Sequence, residues 1–316
     1  RVYYPAGRKR RFPRMLHRKL SFSEYLDGRF NSPLFLMPDH PLLFLHIPKT
    51  AGTTFRGVLD RVYNQGRIHE LYGDIPEATS EFKALSEDDR QQIVCLRGHV
   101  HFGLHTYLPG DVTYVTFLRD PVDRVISHYY YVRRTPGHRL HDAIVNDGVT
   151  LREYVDLDGV LRNGQSKMIA DCLDTSDPEA LYQKAWDNLT NHFSVVGITE
   201  RFDLSLALMA EELGWSNVYY HKRNISRKRP RKKDVFPDIQ QYIEDHNRAD
   251  RQLYEAALDR LRKDATAAGE VVRQKTRTIR RKSLMYGRYR RAHAWAEQRY
   301  RQLRSWGGHF IRSFSS

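Results

Sequence analysis

The 316-residue chain is 40% hydrophobic and carries a formal charge of +14, enough apolar material for a substantial core in one large domain or one domain with appendages. No run approaches eighteen apolar residues and no short apolar block follows a basic start, which leaves a transmembrane helix and an intact signal peptide out of these residues. Cys95 and Cys172 are the only cysteines, so a disulfide scaffold is excluded and a reducing compartment is favoured.

The charge is unevenly placed. Residues 1–20 carry eight Lys or Arg and no acid, and residues 271–316 carry thirteen against Glu297 alone, so the body between the tails is net acidic. Residues 1–40 read as a basic N-terminal segment. Leu42 to Ile47 is a short apolar run that stops at Pro48 and Gly52, and Thr53 then opens a segment with Phe55, Val58, Leu59, Val62 and Tyr63 at helical spacing. That is strand, tight loop, helix. Gln92 to Leu96 reads as a second buried strand, with Cys95 a buried thiol. The first pattern recurs at Val112 to Leu118, a β-branched run ending at Arg119-Asp120-Pro121, followed by Val122, Val125, Ile126 and Tyr129 on one helical face. Asp120 can cap that helix, with Pro121 in its first turn. Thr150 and Glu153 form a capping box. Pro178 to Leu189 looks helical, and Phe193 to Ile198 is a further strand before an amphipathic helix from Phe202 to Leu213. This alternation predicts an α/β domain over 41–268, built on a parallel sheet covered on both faces. From Gly269 the composition changes. Ile279, Tyr286, Tyr289, Ala296, Tyr300 and Leu303 recur at threes, fours and sevens among arginines, predicting a basic amphipathic helical extension over 269–316 that docks on the body, a partner or a membrane surface.

Two loops carry chemistry. His46-Ile47-Pro48-Lys49-Thr50-Ala51-Gly52-Thr53-Thr54 joins a buried strand to a helix N-terminus, a placement that makes an anion site: the helix dipole and unpaired amides face the loop, Gly52 allows close backbone approach, Lys49 adds a charge and the threonines add hydroxyls. Lys49 precedes the glycine, the reverse of a Walker loop. In the second loop, the Arg119 guanidinium at a strand end and the Ser127 hydroxyl on the next helix can clamp one phosphate monoester.

These residues resemble the sulfotransferases of the membrane-associated polysaccharide group, which includes heparan sulfate 2-O- and 6-O-sulfotransferases. Residues 46–54 are similar to that family's 5'-phosphosulfate loop, and Thr116 to Tyr131 to its 3'-phosphate segment. The resemblance implies a P-loop NTPase-like sheet flanked by helices and 3'-phosphoadenosine-5'-phosphosulfate (PAPS) as donor. Lys49, Thr50, Ala51, Gly52, Thr53 and Thr54 then hold the phosphosulfate, and Arg119 and Ser127 the 3'-phosphate. Arg97-Gly98-His99-Val100-His101-Phe102 follows the strand containing Cys95 and should emerge at the same sheet edge. It resembles the His-Gly-His stretch of the 2-O enzymes and puts His99 on their catalytic base, with Arg97 standing where the pattern has its first His. His101 is the rival base, and Arg97 and His101 are candidate acceptor contacts. Asn163 to Met168 and Val196 to Phe202 look like later motifs of the family. Lys222 to Lys228 is similar to the loop that closes over the nucleotide, which makes Ser226 and Arg227 cofactor contacts.

The expected reaction is in-line sulfuryl transfer from PAPS to a saccharide hydroxyl, with His99 taking the acceptor proton and Lys49 neutralising the leaving phosphate. No metal is expected, and no nucleic acid. The acceptor implied is a polysaccharide, an acidic one if the basic appendages take part. The rival enzyme is a kinase on the same architecture, which needs a Mg²⁺-binding carboxylate for which Asp120 is the one candidate. The rival from another class is a non-catalytic polyanion or membrane-surface binder. The cysteine count favours a cytoplasmic enzyme; because the sequence starts at Arg1, a Golgi-luminal enzyme whose anchor lies upstream is the alternative.

Overall fold

The computed structural model describes residues 40–63, 66–157, 159, 161–174, 176–222 and 229–312, with the backbone alone at 294 and 300–312. The basic N-terminal segment, Ser226 and Arg227 lie outside them.

Strand β1, Leu42–Leu45, is buried at all four residues, because a strand between two parallel neighbours has no solvent face. The chain then forms α1 (Gly52–Val62), β2 (Arg67–Leu71), α2 (Ile75–Lys83), α3 (Glu87–Gln91) and β3 (Ile93–Gly98). It continues with β4 (Thr113–Leu118), α4 (Pro121–Val132), α5 (His141–Val145), α6 (Leu151–Leu157), α7 (Gly164–Ala170), α8 (Pro178–His192) and β5 (Phe193–Ile198). Helices α9 (Phe202–Glu212), α10 (Pro237–Asp245), α11 (Arg248–Ala267) and α12 (Gly269–Arg312) complete it. The five strands lie in the order β2-β3-β1-β4-β5 and every neighbouring pair is parallel. Parallel pairing puts all the strand-to-helix loops at one sheet edge, where open α/β folds bind ligands.

The predicted strands and helices are present, with small shifts. The helix after Arg119 is α4, and Asp120 caps it by accepting from the Asp123 amide at 3.1 Å. The capping box is made on both sides, Thr150 N to Glu153 Oε2 at 2.8 Å and Glu153 N to Thr150 Oγ1 at 3.3 Å. Cys95 is fully buried, and burial pushes its thiol up to about 12. Strand β2 went unpredicted because it is an edge strand of mostly polar residues, Arg-Ile-His-Glu-Leu, with only Leu71 buried. Helix α11 was also missed: its core stripe of Ala249, Leu253, Tyr254, Ala257 and Leu261 is diluted by charge.

One core lies on the sheet, with Phe44, Phe55, Val115 and Phe117 fully buried in it; burial of each such side chain is worth about 1.5–3 kcal/mol. A second, smaller core joins α4, α6 and α10 through Val125, Tyr154, Val155 and Ile243. The basic extension is a single helix, α12. Val272 and Ile279 enter the main core, and Ser283 Oγ accepts from the Tyr220 amide at 3.0 Å. No helix among the described residues is long and apolar enough to cross a membrane.

Candidate active site

The C-terminal ends of β1, β3, β4 and β5 surround a cleft of about 510 Å³. Its floor is the loop after β1. Lys49 and Ala51 both adopt left-handed backbone conformations, φ 71° and 66°, an arrangement that costs non-glycine residues energy and tends to be kept where a loop is shaped for a ligand. Thr50 is buried and turned inward, its hydroxyl donating to the Ile47 carbonyl at 2.8 Å; it braces the loop and does not line the cleft. Lys49, Ala51, Gly52, Thr53 and Thr54 do line it. No side chain caps the N-terminus of α1, so its dipole faces the cleft.

Gly52 has a reason the sequence does not reveal. A Cβ there would fall 1.8 Å from His46 Nε2, so the position must be glycine for the His46 ring to pack beneath the loop. That ring stacks on Phe44 at 5.2 Å and lies 4.4 Å from the His99 ring. Burial holds His46 well below the usual imidazole range, helped by the charges of His99, Arg56, Lys49 and Arg97.

His99 reaches the cleft from the end of β3. Its Nδ1 lies 2.7 Å from the His46 carbonyl oxygen. A carbonyl only accepts, so Nδ1 carries the proton and Nε2 keeps its lone pair. Burial lowers the His99 pKa, with Arg56 and Lys49 adding to the effect, although the bond to His46 opposes it. The ring is therefore neutral at neutral pH, the state a base requires.

Lys49 Nζ sits 4.1 Å over the Tyr131 ring. Burial, then repulsion from Arg134, Arg119 and Arg229, brings its pKa down to about 8. Arg119, from the end of β4, donates to the Lys49 carbonyl at 3.0 Å, which ties the loop after β4 to the loop after β1. Ser127 lines the same wall from α4, one turn along from Arg119 Nη2's partner Asp123. Two buried polar atoms of the cleft lining, Arg119 Nε and Thr199 Oγ1, have no hydrogen-bond partner. Arg119 Nε does face Glu200 Oε1 at 3.7 Å, and both atoms keep a donor or acceptor open to a water or a ligand.

Arg97 and His101 are not brought to the cleft. Arg97 is buried, bonds Glu70 through Nε at 2.8 Å and through Nη2, pairs with Asp60 at 2.6 Å, and donates to the Arg56 carbonyl at 3.1 Å. These contacts occupy its donors in fastening β3 to β2 and α1. His101 lies 3.2 Å from Asp171 at the surface. His128 lines the cleft, with Nδ1 2.8 Å from the Tyr154 hydroxyl, and burial takes its pKa down to about 3. Lys222 and Arg229, which bracket the segment containing Ser226 and Arg227, both line the cleft.

Beneath the site lies a polar scaffold that sequence reasoning missed. Gln165, fully buried, grips the Arg119 backbone from both sides, its Oε1 accepting from the amide at 2.9 Å and its Nε2 donating to the carbonyl at 3.0 Å. Asp250 in turn accepts from the Gln165 amide and from the Ser166 amide and hydroxyl at 2.7–3.1 Å. Arg124 lies 3.8 Å from Asp250 and donates to the Pro48 carbonyl at 3.3 Å. One buried carboxylate thus supports the loops after β1 and β4. Asp120, the candidate magnesium ligand of a kinase, accepts from Lys232 at 3.0 Å and Arg251 at 3.1 Å besides capping α4.

Among proteins of known activity, the chain is similar to mouse heparan-sulfate 6-O-sulfotransferase 3, 26% identical over 320 residues, covering 81% of this chain and 65% of that one. It is similar to the Xenopus laevis heparan sulfate 2-O-sulfotransferase 1 at 24% over 279 residues, covering 77% and 76%. It therefore spans less than two thirds of the 6-O enzyme. A mouse sulfotransferase solved with PAP aligns at a TM-score of 0.35 and 13% identity, over 75% of this chain and 88% of that one, too slight a likeness to argue from. The sequence model of the sulfotransferase family matches residues 32–304, and with that match over most of its length the chain belongs to the sulfotransferase family.

Proposed function

We propose that this cleft binds PAPS and transfers its sulfuryl group to a hydroxyl of a saccharide acceptor. The observation that carries the reading is the meeting, in one cleft, of a strained cationic loop, an arginine with an unsatisfied buried Nε and a neutral histidine with its Nε2 lone pair available. Residues 49 and 51–54 take the phosphosulfate, with Thr50 bracing the loop from below, and Arg119 and Ser127 take the 3'-phosphate. His99 Nε2 accepts the proton of the acceptor hydroxyl as its oxygen bonds to sulfur. The bond from sulfur to the bridging oxygen breaks in line with that attack, and the leaving phosphate gains charge opposite Lys49 and the first turn of α1. Arg97 is a structural residue in this account, and His101 has no part in the proton transfer. The names of the two similar enzymes support a polysaccharide acceptor.

The kinase reading needs a carboxylate able to take a metal ion, and Asp120 is already committed to a helix cap and two cations. Calorimetry with 3'-phosphoadenosine-5'-phosphate (PAP), without metal and against ATP, separates the two. Expected is tight binding that prefers the 3'-phosphorylated nucleotide and weakens roughly 10- to 100-fold in Arg119→Ala, the value of a charge-assisted contact. Preference for Mg-ATP would overturn the assignment.

A further inference from the structure

Helix α12 carries a buried stripe against the body and an exposed apolar stripe on the opposite side. The first runs through Val272, Ile279, Ser283 and Gly287, all buried against the body. Gly287 lies against His221 and is the last buried position: every described side chain from Arg288 to Arg299 is exposed. At 100° per residue the second stripe, Leu284, Met285, Tyr289 and Trp295, falls on the face turned away from the body. Leu284 is 63% exposed and Trp295 68%.

We propose that this outer face docks the protein on an anionic lipid surface. Arg281, Arg288, Arg291 and Arg299 interleave with the apolar residues on that side, and Glu297 is the single acid between residues 271 and 316. A second copy of the chain would bring these arginines against one another. An acidic polysaccharide would satisfy the arginines yet offer no apolar phase to Leu284 and Met285. A bilayer with anionic headgroups takes both: leucine, methionine and tryptophan enter the headgroup boundary while arginines stay at the level of the phosphates. The helix leaves the body beside Tyr220, whose amide bonds Ser283 and whose side chain lines the cleft, so docking would hold the cleft near the lipid surface.

The test is sedimentation of the full chain with phosphatidylcholine vesicles, with and without about 30% phosphatidylserine, at physiological salt. The expected result is roughly tenfold stronger partition onto the anionic vesicles. Replacing Leu284, Met285 and Trp295 together by Ser, which keeps every charge, should weaken that partition by about tenfold and leave PAP binding unchanged. Circular dichroism of the variant checks that the helix persists. Equal partition onto neutral vesicles, none onto either, or an unchanged serine variant overturns the proposal. Retention on heparin without vesicle binding would assign the face to an acidic polysaccharide, and self-association lost in the serine variant would assign it to a second copy.

Discussion

Burial, with repulsion from Arg134 and from Arg119 and Arg229, which line the same cleft, brings the Lys49 pKa to about 8. A bound dianion favours the charged form, so binding above that pH must take up a proton, and affinity must fall as pH rises. PAP affinity is therefore expected to be flat below pH 8 and to drop by up to about tenfold per unit above it. Titration calorimetry between pH 7 and 9.5 checks this. Lys49→Met should bind more weakly with that dependence gone; a variant that keeps it would place the titrating group elsewhere. His99, as the proposed base, would set the other limb of activity. Its pKa lies below the usual imidazole value because of burial, so turnover should stay level from neutral pH down to below 6.5 before it falls. His99 could be read from the sequence as a candidate base, but its competence could not: the tautomer depends on the His46 carbonyl, 53 positions away.

Among the elements, β1–α1 and β4–α4 stand out in the sequence because each is a contiguous strand, loop and helix whose chemistry lies in consecutive residues. Helix α7 is different. Asn163 to Met168 draws notice by resemblance alone, and its work appears only when Asp250, 85 positions from Gln165, closes the scaffold beneath Arg119. Buried polar networks of this kind leave no periodic signal. The arrangement makes Gln165 a positioning residue. Gln165→Leu should weaken PAP binding about 3- to 10-fold in the native background, the loss of a net hydrogen bond or two, and should add little when Arg119 is already Ala. A double-mutant cycle measures the coupling. Equal costs in both backgrounds would mean that Gln165 does not act through Arg119.

For the molecule as a whole, a parallel sheet gathers four strand ends into one cleft, and the net positive charge resides outside it in the tails. The α/β class follows from alternating apolar segments. The edge strand β2 does not, since Arg67, His69 and Glu70 leave Leu71 as its one buried residue, and neither does the inward turn of Arg97, which depends on Glu70 from that same strand. On the two proposals, the charge asymmetry would separate docking on a surface, by α12, from chemistry in the cleft. Sulfuryl transfer is then expected to need the cleft residues and no residue beyond Gly287.

The most direct measurement is transfer of radiolabelled sulfur from PAPS to N-sulfated, O-desulfated heparan chains, comparing the full chain with His99→Ala and Lys49→Ala. The account predicts labelled polysaccharide with the native chain and a fall of roughly 10²–10⁴-fold in turnover for His99→Ala, the usual worth of a general base, with Lys49→Ala also impaired. Native turnover in either variant would contradict it.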